Sequence, residues 1–86
     1  MPALAPGVTR YTTSFRDTRI RTAPNLIASI VKVAPVGLVI GATGAVDGAS
    51  YSANGPTSRS WLKVVEIGGV RLQRPVFTAR LFWHAV

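Results

Sequence analysis

The chain has 86 residues, room for one small domain, and is 48% hydrophobic and 15% charged, with ten basic residues, three acidic ones and a formal net charge of +7. It has no cysteine, so disulfides and thiolate zinc sites are excluded and the core must come from packing alone. The charged fraction falls well below the ~25% of an ordinary soluble domain. Apolar side chains are then expected to remain outside and to be covered by neighbouring subunits.

The first residues, MPALAPGVTR, read as an N-terminal arm spanning residues 1–10, with residues 11–86 as a single domain. The arm has neither the basic start nor the apolar run of a secretory signal. The longest apolar segment, LIASIVKVAPVGLVI, is interrupted by Lys32, Pro35 and Gly37 and is too short to be a membrane span. The expectation is a protein made in the cytoplasm without membrane partners.

Strand signals begin at VTRYTTSF, where alternation sets Tyr11, Thr13 and Phe15 on one side and Arg10, Thr12 and Ser14 on the other. In TRIRT the same period turns Ile20 inward and Arg19 and Arg21 outward. Pro24 and Asn25 then make a turn, because proline cannot continue a ladder and asparagine tolerates turn geometry.

LIASIVKVA reads as the next strand, with either Ile27, Ser29, Val31 and Val33 or the alternate set facing inward; Pro35 and Gly37 end it. GLVIGATGAV is a further strand in which Gly41 and Gly44 permit bulges or bends. Residues 47–60, DGASYSANGPTSRS, form a long polar stretch, expected as an extended hairpin-like loop with Tyr51 near its tip and Asn54-Gly55 as a turn signal.

WLKVVEI is another strand, Gly68 and Gly69 form a tight hairpin turn, and VRLQRPVF follows, with Pro75 marking an edge or a bulge. TARLFWHAV suggests one helical turn around Ala79 to Leu81 and a last short strand. Nothing carries the three-and-four apolar spacing of a longer helix.

The order of IRTAPN, a branched strand ending before Pro35 and Gly37, LVI, a variable loop, WLKV, a glycine turn and PVFTARL resembles the bacterial Src-homology-3 domain over residues 11 to 82. In that resemblance Arg21, Pro24, Gly37, Trp61, Lys63, Val64, Gly69 and Val76 take the family's marker positions. It implies an all-β fold, a small five- to six-stranded antiparallel Src-homology-3-like barrel with an N-terminal arm. Arg74 and Pro75 stand where the family has a Gly-Trp pair, so the tryptophan that lines the groove of many cell-wall-binding members is missing.

Catalysis has little to draw on. Asp17, Asp47 and Glu66 are the acids and His84 is the sole histidine, and no spacing among them suggests a pair, a triad or a metal site. GATGAVDGAS lacks the spacing of a dinucleotide loop. No enzymatic activity, cofactor or small-molecule substrate is expected.

Eight of the ten basic residues are arginine, which suits bidentate contacts to carboxylate or phosphate and favours acidic partners. Arg10, Arg16, Arg19 and Arg21 lie early and Arg71, Arg74 and Arg80 late, so a closed barrel would let them share one side. The candidate partner-binding residues are Arg10, Arg19, Arg21, Tyr51, Trp61, Arg71, Arg74 and Trp83. The expected role is a non-enzymatic structural or assembly protein in a homo- or hetero-oligomer of protein subunits. A bacteriophage virion component such as a capsid-decorating, head-completion or tail protein fits. A nucleic-acid-binding basic barrel and a cell-wall or peptide-binding module are the alternatives.

Overall fold

β-Branched and aromatic residues at a period of two give strands almost throughout. The structure, a computed structural model, describes residues 7–52 and 55–86. The first six residues of the expected arm and Asn54 of the turn signal lie outside the described residues. Among the described residues seven strands follow in chain order: β1 (Thr9–Thr12), β2 (Thr18–Arg21), β3 (Ile30–Ala34), β4 (Val39–Ser52), β5 (Thr57–Ile67), β6 (Val70–Ala79) and, after a 3-10 turn at Arg80–Phe82, β7 (His84–Ala85).

All pairings are antiparallel, in a single sheet of order β3-β2-β6-β5-β4-β1-β7. The fold is therefore all-β, a curled antiparallel half-barrel of seven strands where five or six are expected. The last short strand expected in TARLFWHAV is β7, which pairs with β1 through Tyr11–Ala85 and Thr12–His84.

The curl is made where the ladder is interrupted. Pairing of β4 with β5 shifts between Gly41 and Ala42 and again between Ala42 and Ala45, at the glycines the sequence marks for bends. Pro75 sits where β5–β6 pairing jumps from Val64–Val76 to Glu66–Arg71, so its missing N–H is removed from no regular ladder. Gly68 and Gly69, at φ 58° and 83°, occupy the two-residue link between Ile67 and Val70. Two successive positive φ values are what a type I′ hairpin turn requires.

Inside the curl lies a core of Ile20, Ala34, Ile40, Ala42, Leu62, Val64, Val76 and Trp83. Ile20 is fully buried between exposed Arg19 and half-buried Arg21, as the alternation in TRIRT requires. Full burial of such a side chain contributes about 1.5–3 kcal/mol. A second cluster of Tyr51, Trp61 and Ala79 extends the core towards the β4–β5 hairpin.

Polar groups that enter this core arrive paired. The Thr13 hydroxyl donates to the Phe82 carbonyl at 2.7 Å and accepts from the Phe15 N–H at 3.1 Å. The Trp83 indole donates to the Thr78 hydroxyl at 2.9 Å, which donates onward to the Arg19 carbonyl at 3.0 Å. Together these bonds fasten the 3-10 turn and the last strand to β2 and the β1–β2 connection. Among the described residues, no buried side-chain nitrogen or oxygen lacks a hydrogen-bond partner.

Two expectations need correction. LIASIVKVA is not one strand with an inner face: residues 22–29 form an irregular loop, and only Ile30–Ala34 is extended. Neither alternating set is buried, since Ile30, Val31 and Val33 are 46%, 48% and 47% exposed, Ile27 is 94% exposed, and Ala34 alone turns in. The reason is position: among the described residues β3 is an outer strand paired only with β2, and no second layer covers it. The polar stretch 47–60 is also largely strand. β4 continues to Ser52 and β5 starts at Thr57, with Tyr51 opposite Ser58.

Candidate binding cleft

The turn that begins at Pro24 is held down by a glycine. The Pro24 carbonyl accepts a hydrogen bond from the Ala49 N–H of β4 at 2.9 Å. A Cβ on Gly48 would stand 2.7 Å from both Pro24 Cβ and Trp61 Cδ1, and nearer still to the Pro24 carbonyl oxygen, so a hydrogen in that place allows the close approach. Arg21 braces the same loop from the other side, donating to the Ala28 carbonyl at 3.0 Å. Asn25 shapes the tip, its Oδ1 accepting from the Ile27 N–H at 3.1 Å.

Between this loop, the β1–β2 connection and the β4–β5 hairpin opens a cleft of about 430 Å³. Tyr51, Trp61 and Phe82 form its inner wall. Tyr51 meets Trp61 edge-on at 5.3 Å and stacks with Phe82 at 6.2 Å and 28°. Phe15 supports Phe82 from behind, edge to face at 5.2 Å. Contacts of this kind fix aromatic rings relative to one another.

The polar ends of these aromatics are already engaged. The Tyr51 hydroxyl donates to the Ser60 carbonyl at 2.6 Å and accepts from the Leu81 N–H at 3.1 Å. The Trp61 indole donates to the Ala49 carbonyl at 2.9 Å. The wall thus offers mainly carbon to an occupant, joined by half-exposed Leu26 on the loop side.

Charge is gathered at the mouth. Arg16, Arg19 and Arg21 line the cleft against a single acid, Asp17. Asp17 holds the left-handed conformation at φ 55°, which a short polar side chain tolerates better than most. Neither Arg16 nor Arg19 makes a side-chain hydrogen bond or ion pair among the described residues, and both are exposed.

The remaining candidates sit elsewhere. Arg10 pairs with Glu66 at 3.3 Å, and Glu66 lies across the ladder from Arg71, near the Gly68-Gly69 turn. Arg71 and Phe77, the ladder partner of Arg21, lie opposite Glu66 and Lys63, three residues apart on β5. At the rise of a strand that is about 10 Å, because β6 bulges between them. Arg74 is exposed on β6 between them. Arg80 lies over the Tyr11 ring at 5.5 Å and donates to the Trp83 carbonyl at 3.3 Å, while Arg59 donates to the Gly48 carbonyl at 3.1 Å.

The structure therefore brings Arg19, Arg21, Tyr51 and Trp61 to one cleft and leaves Arg10, Arg71 and Arg74 outside it. Trp83 is 3% exposed and belongs to the core. Arg16, Asp17, Leu26 and Phe82, which are not among the candidate partner-binding residues, also line it. Alternation had signalled Phe15, whose ring backs Phe82, but nothing local signals the approach of residue 82 to residue 51.

His, Asp and Glu do not gather into any group of three that would hold a metal ion among the described residues. No helix is long and apolar enough to cross a membrane among the described residues. No protein-family model, no curated protein and no solved structure matches this chain.

Proposed function

We propose that this protein is a non-enzymatic assembly module that binds other protein subunits, in a particle of the kind a bacteriophage virion represents, and that its curled sheet is a Src-homology-3-like barrel. The ordered markers from Arg21 through Pro24, Gly37, Trp61, Lys63 and Val64 to Val76 support the finer fold. One observation carries the function: β3, an outer strand, presents Ile30, Val31 and Val33 about half exposed, with exposed Leu26, Ile27 and Val36 on either side in the chain.

An unprotected apolar outer strand offers both a hydrogen-bonding edge and a surface that water disfavours. Lys32 is its sole charge. A chain with this edge is best accounted for by a neighbour that covers it. Nucleic-acid binding is less well supported, because Arg10 is ion-paired with Glu66 and neither Arg71 nor Arg74 lines the cleft that Arg16, Arg19 and Arg21 share. Such a division does not make a continuous track for phosphates.

The test places a photocrosslinking side chain at Val31 and, as a control, at Arg74. Within the native assembly, Val31 should capture a neighbouring protein subunit. The double variant Val31→Lys, Val33→Lys should abolish incorporation while its far-ultraviolet circular dichroism stays that of the parent. Full incorporation of the double variant overturns the reading.

A further inference from the structure

The geometry points to the cleft between Arg16, Arg19, Arg21 and the Tyr51–Phe82 wall as a binding site for a short acidic peptide segment that carries a large apolar side chain, supplied by a partner protein. This goes beyond the role of β3. It concerns a different surface.

Three features of the cleft select this occupant. Its volume of about 430 Å³ falls in the range of formed ligand sites, enough for one or two side chains and too small for a folded element. Its wall is carbon, since the Tyr51 hydroxyl and the Trp61 indole spend their hydrogen bonds internally, and Leu26 and Phe82 remain partly open to contact. Its rim holds three guanidinium groups and one carboxylate, Asp17. A guanidinium matches a carboxylate with two parallel N–H donors, so Arg16 and Arg19, both without a side-chain partner among the described residues, are the docking groups. Arg21 spends one donor on Ala28 and keeps the wall in place.

A peptide is favoured over a nucleic-acid strand by the layout of charge. The positive groups converge on one apolar hollow, whereas a strand needs charge spread along a groove between successive stacking rings. Charge complementarity and a half-open apolar wall together specify an acidic residue next to a Phe, Leu or Trp in an extended segment.

The sign of the Asp17 contribution makes the inference sharp. Its carboxylate repels the occupant that Arg16 and Arg19 attract. Asp17→Asn removes that repulsion while keeping a side chain that tolerates a positive φ, so this variant should bind more tightly than the parent.

The experiment uses the full chain and a fluorescein-labelled hexapeptide, Glu-Asp-Phe-Asp-Glu-Leu, followed by fluorescence anisotropy at low salt. Expected are saturable binding, a loss of about three- to tenfold for Arg16→Gln and for Arg19→Gln, and a gain of about two- to fivefold for Asp17→Asn. The Gln-Asn-Phe-Asn-Gln-Leu analogue should not bind. Nuclear magnetic resonance should show the Trp61 indole N–H moving on titration and that of Trp83 staying in place, which also checks the fold of each variant. Val31→Lys, Val33→Lys should bind like the parent, so failure of the β3 reading and of this one are separable. The inference falls if Asp17→Asn binds no better, if oligoglutamate without apolar residues binds equally well, or if an oligothymidylate binds more tightly with the same dependence on Arg16 and Arg19.

Discussion

Replacing Gly48 with alanine tests whether the Pro24 turn is seated on β4 as described. Gly48 does not require a positive φ, so on backbone grounds alone alanine would stabilise the protein by about 0.4–1 kcal/mol through the unfolded chain. Packing reverses that sign. The new methyl would stand 2.7 Å from Pro24 Cβ and from Trp61 Cδ1, inside any ordinary carbon contact, with the Pro24 carbonyl closer still. Trp61 is fixed by its bond to Ala49, so the Pro24 loop is the part free to retreat. Retreat breaks the Ala49 to Pro24 hydrogen bond, a loss of about 1 kcal/mol, and the overpacking adds about 1–3 kcal/mol. The net cost is about 2–3 kcal/mol, which in a domain of this size lowers Tm by about 10–20 °C. Thermal unfolding followed by tryptophan fluorescence reads it directly. A Gly48→Ala protein that melts at or above the parent's temperature would refute the close approach and, with it, the shape of the cleft.

Two further substitutions probe the fold that carries the cleft. Trp83→Phe keeps most of the apolar contact but removes the indole donor to Thr78; urea unfolding should show a loss of about 1–3 kcal/mol with an unchanged slope. Gly69→Ala puts a side chain at φ 83° in the β5–β6 turn, where nothing lies within 4 Å to clash, so the cost is purely conformational, about 1–2 kcal/mol, and a matching fall in Tm is expected.

The class of fold and much of its punctuation are local properties of the chain. Branched and aromatic residues at a period of two gave the strands. Ile20 was legible as a core residue because its neighbours on both sides are arginines. The Gly68-Gly69 pair and the interruptions at Gly41 and Pro75 were readable because backbone geometry there depends on one or two residues.

Sheet order, by contrast, sets which strand stands at the rim and which distant residues meet. The apolar residues of β3 carried no sign that they would be left uncovered, because burial depends on whether another layer reaches a strand, and that is a property of sheet order. The arginines looked poolable on one side, and strand pairing divided them, since Arg71 is carried to the far end of the β6 that brings Phe77 beside Arg21. Gly48 read as one small residue in a polar stretch, yet it is the point where the Pro24 turn rests on β4. Local propensity acts over a few residues and is written in the chain. The cleft is made by Arg16 to Leu26, by Tyr51, Ser52 and Trp61, and by Ala79 to Phe82 converging through long-range pairing, and that convergence exists only once the sheet has curled.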